Sequence, residues 1–431
     1  MIEQRCRELL ETVSFASLTT EEQERLIVLL SHDIAMAAKG SETDFVRTLR
    51  DNELLDEPLA ENRGAKYTAK YTLFGQSAKS LSTDDAAAQN AMAVTASLRE
   101  DFVNGTHPGA VIFPLVLAEA ERNALPMERM LDAAATGLKL SMLLLDVYGK
   151  AAAEKGYRAT TFINTIAGAA ALSVAQGAST DDTMAAMAAA AGMVQGMAFP
   201  FQEGTEEWLV QVPLVAHAAS LACKNAKALH FRHDNFLSGK QSLGSLLGVG
   251  TNAPLPENLS LTRIGVKRHP VNSFVQPVVE AVLRLKDVKS EDIEAVRVTV
   301  PQSFKAMPTL LNYGPLSSPN LGLLSIPIST ALALLQKRLD FADFRMSNNP
   351  EVFALANKVQ VEFESRLSQY DVEVLVQMRH GQAPDQASER ASAVDTAFFY
   401  PSLADEIAWI HEQYSQPLPW LEQLLNWYYQ R

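Results

Sequence analysis

Thr106-His107-Pro108-Gly109 sets a protonatable imidazole at the threshold of a helix predicted over 110–122. Proline suits a first helical turn, where its missing N–H costs nothing, and the free N–H groups and positive dipole end of that helix attract carboxylates. A histidine placed there can move a proton on a bound acid; the plainer alternative is that Thr106 caps the helix and His107 lies at its boundary. Two further groups have carboxylate-binding chemistry. Arg158 stands beside Thr160 and Thr161, and the run Lys267-Arg268-His269-Pro270-Val271-Asn272 follows a predicted strand and precedes a predicted helix. Period-two alternation sends Lys267 and His269 to one face and Arg268 to the other, while Asn272 also reads as a helix cap.

Other chemistries lack their residues. His230 and His233, beside Asp234, form the only closely spaced histidine pair, and i, i+3 spacing puts both on one helical face, but no third ligand accompanies them, so no metal site is expected. A Gly-x-Ser-x-Gly elbow is absent, and Cys223 follows the apolar pair Leu221-Ala222, where a thiol serves packing. With no phosphate-cradling glycine loop and no dinucleotide fingerprint, the expectation is an enzyme without a cofactor. Proton transfer on a carboxylic acid remains.

The chain has 431 residues, 47% hydrophobic and 20% charged, enough for a large core and two domains. A net charge of -13 without a long basic run disfavours nucleic acid and anionic membranes. An anionic substrate then needs a local cationic pocket. The two cysteines, Cys6 and Cys223, support neither a disulfide framework nor a thiolate cluster. The opening Met1-Ile2-Glu3-Gln4-Arg5 leads into charged helical sequence with no signal peptide or membrane span, so the expected location is cytoplasmic.

Among the elements that carry these residues, Thr20 with Gln23 forms a capping-box pattern before Ile27, Leu30, Ile34 and Ala38, predicting an amphipathic helix that ends at Gly40. Further helices are predicted over 85–97, 108–123, 128–148, 161–176 and 181–196, several of them small or apolar on every face and therefore interior. Beyond residue 256 the β-branched and alternating stretches 261–267, 293–300, 359–364 and 372–378 read as strands, with helices over 274–285 and 326–336 between them. Residues 397–431 return to helix, carrying Trp409, Trp420 and Trp427. The composition predicts a helical domain from 1–256 and 397–431 and an α+β domain from 257–396.

Ala86-Ala87-Ala88-Gln89-Asn90-Ala91, His107-Pro108-Gly109, Gly156-Tyr157-Arg158-Ala159-Thr160, Ala216-His217-Ala218-Ala219 and Lys267-Arg268-His269-Pro270, in that order, resemble the MmgE/PrpD family. That family includes 2-methylcitrate dehydratase, cis-aconitate decarboxylase and iminodisuccinate epimerase, which act on small polycarboxylates without a redox cofactor. The resemblance implies a large all-helical domain built from both ends of the chain, a smaller α+β lid domain with an antiparallel sheet, and a homodimer. His107 matches the family's His-Pro histidine, Lys267 the lysine of its Lys-x-x-Pro segment, and Asn90 lies in the helix preceding the active site. Together with the residues above, this makes His107 and Lys267 the catalytic candidates. The substrate-binding candidates are Asn90, Asp101, Thr106, Arg158, Thr160, Arg268, His269 and Asn272.

The chain departs from the family pattern at several places. Ser97-Leu98-Arg99-Glu100-Asp101 stands where many members have Asp-Phe-Asp-Asp-Thr, Arg158 replaces the histidine of Gly-x-His, Asn272 stands where some have a second histidine, and Gln211 or a neighbour stands where many have lysine. Arginine in place of histidine exchanges a near-neutral acid/base for a permanently charged fork. The resulting expectation is a cofactor-independent lyase or isomerase, of hydro-lyase type with epimerase and decarboxylase as variants, that abstracts a proton α to a carboxylate. The competing reading is a degenerate member that binds a carboxylate or a protein partner without turnover.

Overall fold

A computed structural model describes residues 1–51, 70–74, 79–230, 233–286, 288–368, 371–379, 388–392, 399–414 and 416–431. It divides into two compact units, the first formed by Met1–Ala198, Glu207–Val266 and Tyr400–Arg431, the second by Phe199–Glu206 and Lys267–Phe399.

The first unit contains α1 (Ile2–Thr12), α2 (Thr20–Gly40), α3 (Asp44–Asp51), α4 (Thr83–Ala96), α5 (Gly109–Asn123), α6 (Met127–Leu144), α7 (Lys150–Glu154), α8 (Ala159–Ala175) and α9 (Thr180–Ala191). After α10 (Phe199–Glu203), which belongs to the second unit, it resumes with α11 (Trp208–Leu229) and α12 (Leu243–Leu247). Many of these helices start where a serine or threonine accepts the N–H three residues on: Ser82 from Asp85 and Ser179 from Asp182. At α2 the capping box is Thr19 with Glu22, one residue ahead of the expected Thr20 and Gln23, because Thr19 is the extended residue and Gln23 instead donates to the Phe15 carbonyl.

α5 packs against α4, α6, α8 and α11, and α2 lies against α4. The alanine-rich faces of α4 and α8 permit close approach, since a Cβ on Gly40 of α2 would collide with the Ala93 carbonyl of α4. Leu26 to Leu30 and Ile34 to Ala38 are all buried, each large aliphatic side chain stabilising the fold by roughly 1.5–3 kcal/mol. The expected long helix over 128–148 ends at Leu144 and continues as a π-helical turn, Leu145–Gly149.

The first unit is not entirely helical. β1 (Lys70–Tyr71) pairs with β2 (Lys79–Ser80), and β3 (Asp101–Phe102) with β4 (Gly265–Val266), both antiparallel. The strand expected over 261–267 is reduced to β4, because Ser260 accepts the Thr262 N–H and turns Leu261–Arg263 into a 3₁₀ helix.

In the second unit, α13 (Gln276–Leu283), α14 (Ile326–Gln336) and α15 (Pro350–Ala356) accompany β5 (Ile293–Pro301), β6 (Val359–Glu364), β7 (Glu373–Met378) and β8 (Ser388–Ser392). The sheet order is β6-β5-β7-β8, with β5 parallel to β6 and the other pairs antiparallel. It is therefore mixed rather than antiparallel: the β5–β6 connection runs through α14 and α15, and a helical crossover returns a strand in the parallel sense. Val296, Val298, Val300, Val374 and Val376 are buried, the period-two face that the sequence shows.

The chain then rejoins the first unit through α16 (Leu403–Gln413) and α17 (Pro419–Tyr429), which pack on α2. Trp420 and Trp427 donate to Glu121 and Glu128 at 2.8 and 3.1 Å, and Trp409 stacks on His32. Among the described residues no helix is long and apolar enough to cross a membrane.

Candidate active site

The path that brings His107 to its partners begins at a tight hairpin. Asn104 and Gly105 both have positive φ, at 43° and 81°, and Val103 and Thr106 exchange backbone hydrogen bonds of 3.0 and 2.9 Å across them. Asn-Gly is the sequence that such a turn favours, and it folds Thr106-His107 back beside β3. His107 Nδ1 donates to the Asp101 carbonyl at 2.6 Å, since a carbonyl can only accept. Nδ1 therefore carries the proton in the neutral ring, and the basic lone pair is on Nε2. That atom lies 3.4 Å from Glu100 Oε1, with the His107 side chain 16% and the Glu100 side chain 1% exposed.

The start of α5 differs from the expectation. The Asp101 carboxylate accepts the Gly109 and Ala110 N–H groups at 2.9 and 3.3 Å, so the helix end offered to a substrate carboxylate already holds one of the chain's own. Thr106 is not the cap either: the cap residue is Pro108, and Thr106 Oγ1 accepts from Asn164 Nδ2 of α8 at 3.1 Å. Asn164 also receives the Ser141 hydroxyl at 2.6 Å. Asp101 and Thr106 thus orient His107 and its backbone.

Two residues that the sequence reading did not single out complete the cluster. Glu100 is fully buried and its charge acts on Arg158, whose guanidinium burial nonetheless depresses to about 10. Arg158 donates to the Trp208 carbonyl at 2.7 Å and lies over the indole, so one of its donors holds the protein and its charge is set against Glu100. Asp33, on α2, accepts the Asp101 N–H at 3.1 Å. Burial first, then the charge of Asp101, holds the Asp33 carboxyl well above the ordinary carboxylate range. Gly109 is required here, because a Cβ would collide with Asp33 Oδ2 and the Phe113 ring. A polar His32-Asp33 pair inside the apolar run 26–38 was the available signal. Thr160, in the first turn of α8, is buried with a hydroxyl that no protein group meets.

The remaining candidates lie elsewhere. Asn90 accepts the Phe74 N–H and donates to the Thr72 carbonyl, at 3.1 and 2.8 Å, tying down the segment before α4. Lys267, the first residue of the second unit, is 2% exposed and follows Val266, which pairs with Asp101 in the β3–β4 ladder. Gln276 holds the Arg268 and His269 N–H groups at 3.1 and 3.0 Å, and His269 Nε2 lies 3.2 Å from Glu280. Burial raises the Glu280 carboxyl, but His269 and Arg284 outweigh it and hold it below the usual range. Asn272 accepts the Phe274 N–H at 2.9 Å, a turn ahead of α13 rather than a cap on it.

His230 ends α11 in the left-handed conformation, so His230 and His233 do not share a helical face. Among the described residues no three His, Cys, Asp or Glu side chains are grouped to hold a metal ion. Cys6 and Cys223 are free and buried, and burial pushes both thiols up to about 12.

Residues 6–230 match the MmgE/PrpD N-terminal domain, and residues 269–388 match the MmgE/PrpD C-terminal domain. The chain belongs to the MmgE/PrpD family. Membership suggests a dehydratase-like or related function. Both the His107 segment and the Lys267–Asn272 run touch these matches, the former inside the first domain and the latter at the start of the second. No curated protein matches the chain.

Proposed function

We propose that this chain is a lyase or isomerase that abstracts a proton α to a carboxylate of a small polycarboxylate, with His107 as the acid/base. The observation that carries this reading is the orientation of His107, a partly exposed side chain: Nδ1 is bound to the Asp101 carbonyl while Nε2 faces the buried Glu100. A fixed tautomer leaves one nitrogen for proton transfer, and a carboxylate beside it stabilises the imidazolium that forms.

In the proposed reaction Nε2 takes the α proton and the C–H electron pair moves into the substrate carboxylate as an enediolate. With a β-hydroxyl present, the pair returns to form the C=C bond as hydroxide leaves with a proton from an acid. Without one, reprotonation on the opposite face gives epimerisation. Thr160, whose buried hydroxyl has no hydrogen-bond partner in the protein, is retained as a substrate-binding residue on the same reading. For Lys267 we retain the role that the family resemblance implies, a carboxylate contact, and Lys267→Ala is expected to raise KM and to lower kcat. We propose the homodimer on the same resemblance; Leu214, Leu221 and Leu229, exposed along α11, make a face suited to burial, and sedimentation velocity tests it.

The deciding experiment incubates the protein in deuterated water with citrate, methylcitrate, aconitate and iminodisuccinate analogues. Solvent deuterium at a substrate carbon supports proton abstraction even without net product. Binding without exchange across the series supports the degenerate reading.

A further inference from the structure

We propose that His32 and Asp33, adjacent on α2, are positioning residues for the Glu100–His107 pair, with Glu406 of α16 holding His32 in place. The inference rests on the acid/base role proposed for His107 and names what sets its geometry.

His32 Nε2 meets the Arg99 carbonyl at 2.5 Å, and Asp33 Oδ1 accepts the Asp101 N–H at 3.1 Å. These are the two peptide groups on either side of the Glu100 Cα. Holding both planes restrains the φ and ψ of Glu100 and therefore the direction of its Cα–Cβ bond. The next peptide along supplies the Asp101 carbonyl to His107 Nδ1, so the same grip reaches the base. Two consecutive residues of one buried helix thus hold both partners of the dyad through the backbone between them.

Each grip has its own support. Because a carbonyl only accepts, His32 Nε2 carries a proton; Nδ1 then faces Glu406 Oε1 at 2.8 Å with one proton shared between them. Both side chains are wholly buried, and Trp409, also on α16, stacks on the imidazole with ring centres 5.5 Å apart. Arg25 places positive charge near Glu406. On the other side, burial first and then the charge of Asp101 hold the Asp33 carboxyl well above the ordinary carboxylate range, while Asp101 is committed as acceptor to Gly109 and Ala110. Asparagine keeps the acceptor oxygen that Asp33 offers to the Asp101 N–H, and it carries no charge.

The test uses the full chain labelled with ¹⁵N at its histidine rings, the His107 signals being identified by their loss in His107→Asn. The wild type is expected to show His107 as the Nδ1–H tautomer. Asp33→Ala and His32→Ala should mix its tautomers and shift its titration, whereas Asp33→Asn should keep the tautomer. Where substrate exchange is measurable, Asp33→Ala should lose roughly 10-fold to 10²-fold in kcat with KM little changed, and Asp33→Asn should recover most of it. An Asp33→Ala protein that folds and keeps both tautomer and kcat overturns the proposal. So does an Asp33→Asn protein that falls as far as the alanine variant. Should Asp33→Ala lose its cooperative unfolding transition, Asp33→Ser, too short to reach the Asp101 N–H, replaces it under the same expectations. The ring signals are read without turnover, so they test the positioning even if His107→Asn proves active.

Discussion

Two His-Pro segments in this molecule each put a histidine nitrogen beside a glutamate. His107 Nε2 is 3.4 Å from Glu100, and His269 Nε2 is 3.2 Å from Glu280. Distance does not separate them; the surroundings do. Glu280 sits on the same helix face as Arg284, which bonds it at 2.8 Å from a half-exposed position, and its carboxyl is stabilised as the anion. That is an ion-pair chain at the edge of a helix. Glu100 instead is enclosed, with Asp33 and Asp101 on one side and the charge of Arg158 on another, and the ring facing it has its other nitrogen tied to a backbone carbonyl. A histidine becomes a candidate base when its second nitrogen is committed and its carboxylate partner cannot turn to water.

The contrast breaks most readily at His107. His107→Asn is expected to lower proton exchange by roughly 10²-fold or more while thermal unfolding stays near that of the wild type. Near-normal exchange would return His107 to the role of a boundary residue. Gly109→Ala should come next: forcing a methyl between Asp33 and Phe113 is an overpacking change, expected to cost about 1–3 kcal/mol in denaturant unfolding and to disturb the Asp101 cap. Glu100→Gln keeps the volume and removes the charge facing the imidazolium, with an expected loss of about 10-fold in kcat. An unchanged kcat would mean that Glu100 only fills space.

His269→Asn and Glu280→Gln sharpen the comparison from the other side. Each is expected to change kcat by less than about threefold and stability by about 1 kcal/mol, and a loss rivalling that of His107→Asn would abolish the distinction. The smallest effect is a slope. Because the folded-state Asp33 carboxyl is raised above its ordinary 3.8, its contribution to stability is full below that value and is lost as pH rises through the folded value. Asparagine does not titrate, so the stability of Asp33→Asn relative to wild type should grow as pH rises from about 3.8 toward neutrality, read by denaturant midpoints. A flat difference would place an ordinary ionised carboxylate at residue 33.

Much of the architecture was readable from local pattern. The valine alternation of β5 and β7 and the serine caps of α4 and α9 are short-range signals, and the order of the small motifs pointed to the family that the domain matches show. The site was harder because its geometry depends on residues far apart in sequence. The helix start at Pro108 reads as an open anion site until Asp101 is brought onto it, and what brings it there is the Asn104-Gly105 turn, itself a hairpin signal in the sequence. Glu100 is hidden differently: against the family pattern its segment stands out for the departures at Ser97 and Asp101, and of the acidic pair only Asp101 reads as a candidate. Asp33 and His32 lie on a helix whose periodicity explains every neighbour, so only the cost of burying two polar side chains among leucines marks them. The parallel β5–β6 pairing needed the crossover through α14 and α15 to be seen.

Glu24 accepts the Leu403 N–H, Glu121 and Glu128 receive Trp420 and Trp427, and His32 is matched by Glu406. These contacts join residues separated by 299 to 379 positions. During synthesis the segment from 1 to 266 emerges first, and Lys267–Phe399 of the second unit follows before the closing helices of the first unit exist. Until those helices are made, His32 lacks Glu406, and Glu121 and Glu128 lack their indoles. Completion is a matter of timing: the base proposed at His107 would acquire its full support only after the ribosome has made residue 406 and released it to fold back.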